Sequence, residues 1–241
     1  MAEEKNKVPL HLAMILDGNG RWAKKRHMPR NYGHSRGSRN VEKVCELVWD
    51  HGIKYFTVYA FSTENWKRPE SEVNALMDLF RDYLEECRQK CTKNNMKVRI
   101  IGDRSRLRPD LIERIDALEE TSKDNTGLNF QIAVNYGGRD DLVRAFRAMV
   151  RDMEAGTLDP GEVTEETLSG YTDTGSRDIP DPDLLIRTGG DFRISNFLLW
   201  QIAYTEIYIT DVLWPDFGDE ELTRILDIYG GRERRFGGIK Q

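Results

Sequence analysis

The sequence predicts an α/β fold: a mostly parallel central sheet of about six strands, with helices on both faces. Three observations carry this expectation. Short apolar or β-branched runs alternate with longer amphipathic stretches along the chain, the pattern of strands joined by crossover helices. That alternation means a mostly parallel sheet, which is covered by helices on both faces. Polar and charged residues then follow directly on the predicted strand ends, at Asp17, Ser62 and Arg187, the edge where parallel sheets bind their ligands.

The elements follow in order. Residues 10–16 are apolar and end on Asp17-Gly18-Asn19-Gly20, a buried strand running into a loop. Ser35 caps a helix to about His51, with Val41, Val44, Cys45, Val48 and Trp49 on one face, and Gly52 stops it. Residues 55–61 are β-branched and aromatic, a second strand. A loop over 62–69 precedes a long helix over about 70–93. Its stripe of Val73, Leu76, Met77, Phe80, Tyr83, Leu84, Cys87 and Cys91 marks one apolar face. Residues 97–101, 128–134, 183–186 and 206–209 complete the strands; 110–122, 140–154 and about 220–229 complete the helices. The stretch 159–182, rich in Gly, Pro, Asp and Thr, reads as a long connection inside a single domain spanning 1–241.

Composition narrows the function. Of 241 residues, 39% are hydrophobic and 32% charged, and no apolar run approaches the roughly 20 residues of a membrane-spanning helix. The polar start shows no signal peptide, so a cytoplasmic location is expected. Cys45, Cys87 and Cys91 lack any zinc spacing and read as buried helix residues. A net charge of −5 argues against nucleic acid as a partner. Basic residues nevertheless crowd the stretch from Arg21 to Arg39 and recur at Arg187, Arg193 and Arg232–Arg235. A basic pocket on an acidic protein suits a small polyanion, although each cluster taken alone is compatible with a solvated face.

No nucleotide-binding glycine motif is present, and Asp140-Asp141 lacks the third acid of an Asp-Asp-x-x-Asp metal motif. The segment Asp17-Gly18-Asn19-Gly20-Arg21-Trp22 stands out instead. An acid at a strand end can hold a divalent cation, flanking glycines let backbone N–H groups approach phosphate, and Arg21 can pair with its oxygens. The same dipeptides, Asp-Gly and Asn-Gly, also make ordinary turns, and residue types alone leave both readings open.

The longer strings carry a resemblance. Met14-Ile-Leu-Asp-Gly-Asn-Gly-Arg-Trp-Ala-Lys24, Gly33-His34, Tyr59-Ala-Phe-Ser-Thr-Glu-Asn-Trp-Lys-Arg-Pro69, Asn135-Tyr-Gly-Gly-Arg139, Asp183-Leu-Leu-Ile-Arg-Thr-Gly-Gly190, Arg193-Ile-Ser-Asn-Phe-Leu-Leu-Trp-Gln201 and Thr205-Glu-Ile-Tyr208 resemble the motifs of the cis-prenyltransferases. They are most similar to those of bacterial undecaprenyl diphosphate synthases, occur in the same order and cover nearly the whole chain.

The resemblance implies a Mg²⁺-dependent condensation of isopentenyl diphosphate onto an allylic diphosphate. It implies Asp17 and Glu206 as metal residues. Gly18, Asn19, Gly20, Arg21, Arg30 and His34 would bind the allylic diphosphate with Arg68 adding charge there, Arg187, Arg193 and Ser195 would hold isopentenyl diphosphate, and Trp22 and Ile194 would belong to the substrate site. Ser62, Thr63, Glu64 and Trp66 would complete the substrate site, with Trp22 and Trp66 readable as pocket wall or plain core. Asn65 would serve the proton step as a catalytic residue, though an amide is too weak a base to take the proton itself. The resemblance further implies a hydrophobic tunnel lined by the long helix, left open at Ala60 and closed by Phe130 where a smaller aliphatic residue is common. It also implies a homodimer in which the tail Arg235-Phe236-Gly237 reaches the partner's site, and at most peripheral membrane contact for product release. A non-catalytic partner subunit would lack the Asp17 and Arg set, and a phosphohydrolase would need a metal-carboxylate cluster that the sequence does not show.

Overall fold

The computed structural model describes residues 8–232. Among them, six strands form one sheet in the order β3-β4-β2-β1-β5-β6: β1 His11–Ile15, β2 Tyr55–Ser62, β3 Lys97–Ile101, β4 Asn129–Tyr136, β5 Leu184–Arg187 and β6 Glu206–Ile209. Every neighbouring pair is parallel. Side chains alternate across the pleat. Leu12 and Met14 of β1 enter one core with Phe56, Val58, Phe130 and Ile132, while Ala13 and Ile15 enter a smaller core on the other face.

The larger core is roofed by α2 (Arg30–Asp50), α3 (Glu70–Lys90), α4 (Pro109–Ser122) and α7 (Asp219–Gly230). The smaller core is closed by the segment around Phe197, Leu198 and Ile202, with α5 (Gly138–Glu154) and α6 (Glu165–Tyr171) beyond it. The buried Asp141 of α5 accepts from Tyr136 Oη at 2.9 Å and from Gln201 Nε2 at 3.3 Å, tying this layer to the sheet. Cys45, Cys87 and Cys91 are all buried free thiols between α2 and α3 or at the end of α3, as the helix pattern indicates.

Strand order places the site. The chain leaves β1 toward β2 on one side and leaves β5 toward β6 on the other. The two departing segments open a crevice beyond the carboxyl ends of β1 and β5, where Asp17 and Arg187 stand. Nearby, the β2–β4 register shifts between Tyr59 and Ser62, a bulge of the kind that re-aims side chains at a site.

The structure departs from the sequence expectation in four places. Residues 19–25 do not continue a loop but form α1 (Asn19–Lys25), entered through Gly18 at φ 109. A Cβ at Gly18 would lie 2.9 Å from Leu213 Cδ2, so both the backbone angle and the space require glycine. The helix expected to begin at Ser35 starts at Arg30, directly after Pro29; the Ser35 cap signal is an interior residue. Residues 63–67 form a short 3₁₀ turn rather than an open loop. The connection 159–182 contains α6, entered by a Thr164–Thr167 capping box in place of the more familiar Ser/Thr with Glu/Gln.

Candidate active site

Asp17 follows β1, and its carboxylate lies between two cations. Arg187 Nη2 donates to Oδ2 at 2.7 Å, and Arg21 Nη2 lies 3.2 Å from Oδ1, which also accepts from Gly18 N at 2.6 Å. Burial pushes this carboxyl pKa up, but the hydrogen bond from Arg187 and the charges of Arg187 and Arg21 outweigh it and hold the group below its ordinary value. Asp17 is therefore an ionised carboxylate at neutral pH, with 30% of its side chain still open to solvent.

Arg187 ends β5 and its side chain is only 5% exposed. Its Nη1 donates to Ser195 Oγ at 2.8 Å and to the Arg193 carbonyl, while its buried Nε has no partner. The segment holding those partners is unusual. Ser195, Asn196 and Leu198 all have positive φ, from 45 to 62. Such left-handed non-glycine residues are costly and collect at functional sites.

Two clusters of basic side chains emerge. Around Asp191 stand Arg193 at 2.9 Å, Arg21 at 3.4 Å and Arg187 at 3.6 Å. Around Glu72 of α3 stand Arg68 at 3.0 Å, Arg30 at 3.2 Å and His34 at 4.0 Å. Burial pulls the His34 pKa down to about 4, reinforced by the charges of Arg68 and Arg30, so the ring is neutral at pH 7. Its Nε2 is buried with no partner. Asp191 with its three arginines, and Arg30, His34 and Arg68 from around Glu72, line one polar pocket together with Asp17, Gly18, Asn19, Gly20, Ser62, Asn65 and Ser195.

Close helix packing fixes the floor of this pocket. A Cβ at Gly33 would fall 2.1 Å from the Asn19 carbonyl oxygen, and one at Gly37 would fall 2.0 Å from Asn19 Oδ1. Two glycines on α2 thus let α1 sit against it and hold Asn19 at the pocket's inner edge. Asn65 is fixed differently: its Oδ1 accepts from Ser62 N at 3.1 Å in a reciprocal capping box.

The remaining expected residues lie around the pocket rather than in its lining. Trp22 is buried and donates from Nε1 to Asp216 Oδ1 at 2.6 Å, and Trp66 donates to Asn135 Oδ1 at 2.7 Å beneath Arg106. Both tryptophans pack the surrounding frame. Glu64 accepts from Asn196 Nδ2 at 2.9 Å and from Thr63, and Ile194 packs on the smaller core. Glu206 is the residue that the structure separates from the site. It opens β6, level with Leu184 rather than Arg187, at the far end of the sheet, and pairs with Arg232 at 2.6 Å. The tail residues Arg235, Phe236 and Gly237 lie outside the described residues.

Asp191, Glu72 and Tyr59 are site residues that the sequence reading missed. Tyr59 lines the pocket and donates from Oη to the carbonyls of Tyr136 at 3.1 Å and Ser195 at 3.4 Å. Asp191 directly follows a quoted motif, and Glu72 lies four residues after Arg68, a helical spacing. Those positions were the only available signals.

A second, apolar cavity of about 120 Å³ adjoins the polar pocket, and the two share Leu16, Asn19, His34, Tyr59, Ala60, Phe61 and Leu76. It continues between α2, α3 and the sheet, past Val41, Val58, Met77, Phe80, Phe130 and Ile132. Two arginine-bearing clusters joined to an apolar cavity form a site suited to an anionic head group that carries hydrocarbon.

The comparisons give the family. Residues 15–237 match the prenyltransferase family model described as "Putative undecaprenyl diphosphate synthase". An isoprenyl transferase of Fusobacterium nucleatum is 48% identical over 237 residues, covering 98% of this chain and 99% of that protein. Lavandulyl diphosphate synthase from Lavandula x intermedia, solved with dimethylallyl diphosphate, superposes with a TM-score of 0.92 at 39% identity, over 96% of this chain and 99% of the other. A structure titled "probable undecaprenyl diphosphate synthase" from Campylobacter jejuni gives 0.80 at 36% identity, over 97% and 100%. The chain belongs to this prenyltransferase family and is an enzyme acting on isoprenoid diphosphates.

Proposed function

We propose that this chain condenses isopentenyl diphosphate repeatedly onto an allylic diphosphate, with farnesyl diphosphate as primer and Mg²⁺ as cofactor. The product would be a long cis-polyprenyl diphosphate of the undecaprenyl kind, serving as a lipid carrier for cell-wall synthesis. The observation that carries the reading is the junction of the polar pocket with the apolar cavity at Leu16, His34, Ala60 and Leu76. A head group and a hydrocarbon tail can be held there at once.

Each cluster would take one diphosphate. Arg30, Arg68 and His34 would hold the allylic diphosphate over the cavity mouth, and Arg187, Arg193 and Ser195 the isopentenyl diphosphate. In each turnover the allylic C1–O bond breaks and its electron pair leaves with the diphosphate, stabilised by arginine donors already in place. The double bond of isopentenyl diphosphate attacks C1. Loss of a C2 proton then creates the new Z double bond, releasing one diphosphate and one proton. Asn65, locked at Oδ1 by Ser62 N, would orient the substrate with its amide N–H₂, and a diphosphate oxygen or water would take the proton.

Among the described residues no group of three or more His, Cys, Asp or Glu could hold a metal unaided. The donor set fits Mg²⁺ nonetheless, because that ion commonly takes one or two carboxylates and completes its shell with substrate phosphates and water. Asp17 would hold it; bound there, it would neutralise charge developing on the departing diphosphate. Glu206 is left out of this set.

Homodimer formation is also proposed. Tyr204 and Ile207, exposed at 80% and 45%, lie just before and within the edge strand β6. A free sheet edge with apolar residues favours pairing with a second copy. No helix of the described residues is long and apolar enough to cross a membrane, and membrane contact is proposed only for product release.

The test is incubation with farnesyl diphosphate, labelled isopentenyl diphosphate and Mg²⁺, with and without chelator, followed by separation of products by length. Chelator-sensitive products near the C55 length are expected. Release of phosphate without chain growth would contradict the reading.

A further inference from the structure

Asn196 takes no part in the chemistry above, yet its groups tie three loops of the site together. It follows Ser195 and stands in the left-handed region at φ 62. Its carbonyl accepts from Gly138 N at 2.7 Å and its Oδ1 accepts from Arg139 N at 3.0 Å, where α5 begins. Its Nδ2 donates to Glu64 Oε1 at 2.9 Å, and Glu64 Oε2 accepts from Thr63 Oγ1 at 3.2 Å. The amide can stand only one way round, because the Arg139 N–H needs an oxygen and the carboxylate needs an N–H donor. Burial pushes the Glu64 carboxyl pKa up, but hydrogen bonds, led by the one from Asn196, outweigh it and hold the group below its ordinary value. Glu64 is therefore ionised at neutral pH.

The fold leaves room for this contact. A Cβ at Gly137 would lie 2.8 Å from Asn196 Nδ2 and 2.6 Å from Thr63 Oγ1. Gly137, at φ −157, has an extended backbone open to any residue, so the convergence of those two side chains calls for glycine there. Each end of the Asn196–Glu64 bond is one residue from a group with a proposed role. Glu64 precedes Asn65, whose Oδ1 accepts from Ser62 N at 3.1 Å. Asn196 follows Ser195, whose Oγ accepts from Arg187 at 2.8 Å and whose carbonyl accepts from Tyr59 Oη at 3.4 Å.

We propose that Asn196 is a positioning residue for the condensation: its hydrogen bond to Glu64 fixes the spacing between the Ser195 segment and the turn that carries Asn65. Two bound molecules react only when their reacting atoms are held about 3–3.5 Å apart in the right orientation. Loosening this strap shifts one segment against the other and leaves each diphosphate its arginines. The loss then falls on turnover rather than on binding. The proposal rests on the proposed roles of Ser195 and Asn65 in the condensation.

The experiment is a double-mutant cycle of wild type, Asn196→Asp, Glu64→Gln and the two combined, each checked for an unchanged circular-dichroism spectrum. Steady-state condensation of farnesyl diphosphate with labelled isopentenyl diphosphate and Mg²⁺ is followed from pH 8 to pH 5. Asn196→Asp keeps the size, the contact with Arg139 N and a residue type tolerant of the left-handed backbone, but sets one carboxylate against another. At pH 8 its kcat should fall about tenfold or more, with both KM values within about threefold of wild type. As pH falls the facing carboxylates can share a proton, so kcat relative to wild type should recover toward pH 5. In the combined variant the glutamine amide donates to the aspartate, reversing the bond's polarity, and most of the lost kcat should return at pH 8. Wild-type kcat in Asn196→Asp, or a combined variant as slow as Asn196→Asp, would overturn the role of Asn196 alone. A wild type that incorporates no isopentenyl unit would overturn the proposed condensation, and with it this proposal.

Discussion

Asp17 illustrates how one residue is set by its neighbours. Arg187 can sit at 5% exposure because Asp17, Ser195 and the Arg193 carbonyl take its donors, and Asp17 stays charged because Arg187 and Arg21 face it. Replacing Asp17 by Asn keeps the shape and removes the charge. Turnover should fall about a hundredfold or more, the scale of a single charge-stabilising group at a reacting centre, with the chain still folded. An unchanged kcat would rule Asp17 out as the metal-holding group. Two histidines give a different prediction. Burial lowers both His34 and His11 from 6.5 to about 4. Because the folded pKa lies below the unfolded one, their stabilisation is complete above pH 6.5 and is lost as pH falls toward 4. At pH 5 each should have lost about 2 kcal/mol. Thermal unfolding from pH 7 to pH 4.5 should show this slope, and a His34→Gln variant should flatten it; an equal slope in the variant would remove His34 from the account.

At the scale of elements, the contact of α1 with α2 shapes the pocket. Gly37→Ala places a methyl group on Asn19 Oδ1 and 2.8 Å from Trp214 Cδ1. Overpacking of this sort costs about 1–3 kcal/mol, and here the displaced group is a pocket residue. Differential scanning calorimetry should show a lower Tm accompanied by reduced turnover; a variant with unaltered Tm and activity would show that the helices have slack. The same contact shows what the sequence could convey. The strands and long helices were legible because their apolar periodicity is local, and Asp17, Ser62 and Arg187 could be assigned to one edge from strand ends alone. The short helix α1 was hidden because Gly18 and Gly20 are poor helix formers, and its stability comes from packing on Gly33 and Gly37. Helix α6 was hidden for a similar reason, since Ser169, Gly170 and Thr167 weaken its propensity while Thr164 caps it. Asp191 and Glu72 could not be singled out among 41 acidic residues, because which acid faces the arginines depends on contacts between segments as distant as Arg21 and Asp191. Glu206 shows the converse: a motif residue whose place on β6 separates it from Asp17 within the chain.

On the scale of the whole molecule, the sheet delivers two arginine-bearing sets of side chains from different parts of the chain to one crevice. Arg30, His34 and Arg68 arrive on α2 and the β2–α3 connection, and Arg187, Arg193 and Ser195 arrive from β5 and the segment after it. An acidic protein of net charge −5 thereby concentrates positive charge at one place. The apolar cavity opens beside the first set, at His34 and Leu76, and on the proposed function the substrate with the long tail would sit there. The central claim is that the two sets serve two different diphosphates. It is tested most directly by steady-state kinetics of Arg68→Ala and Arg193→Ala with each substrate varied in turn. Loss of a charge-assisted contact to a diphosphate should raise the relevant KM about tenfold or more. Arg68→Ala should raise KM mainly for the allylic diphosphate and Arg193→Ala mainly for isopentenyl diphosphate. Equal increases for both substrates in both variants would contradict it.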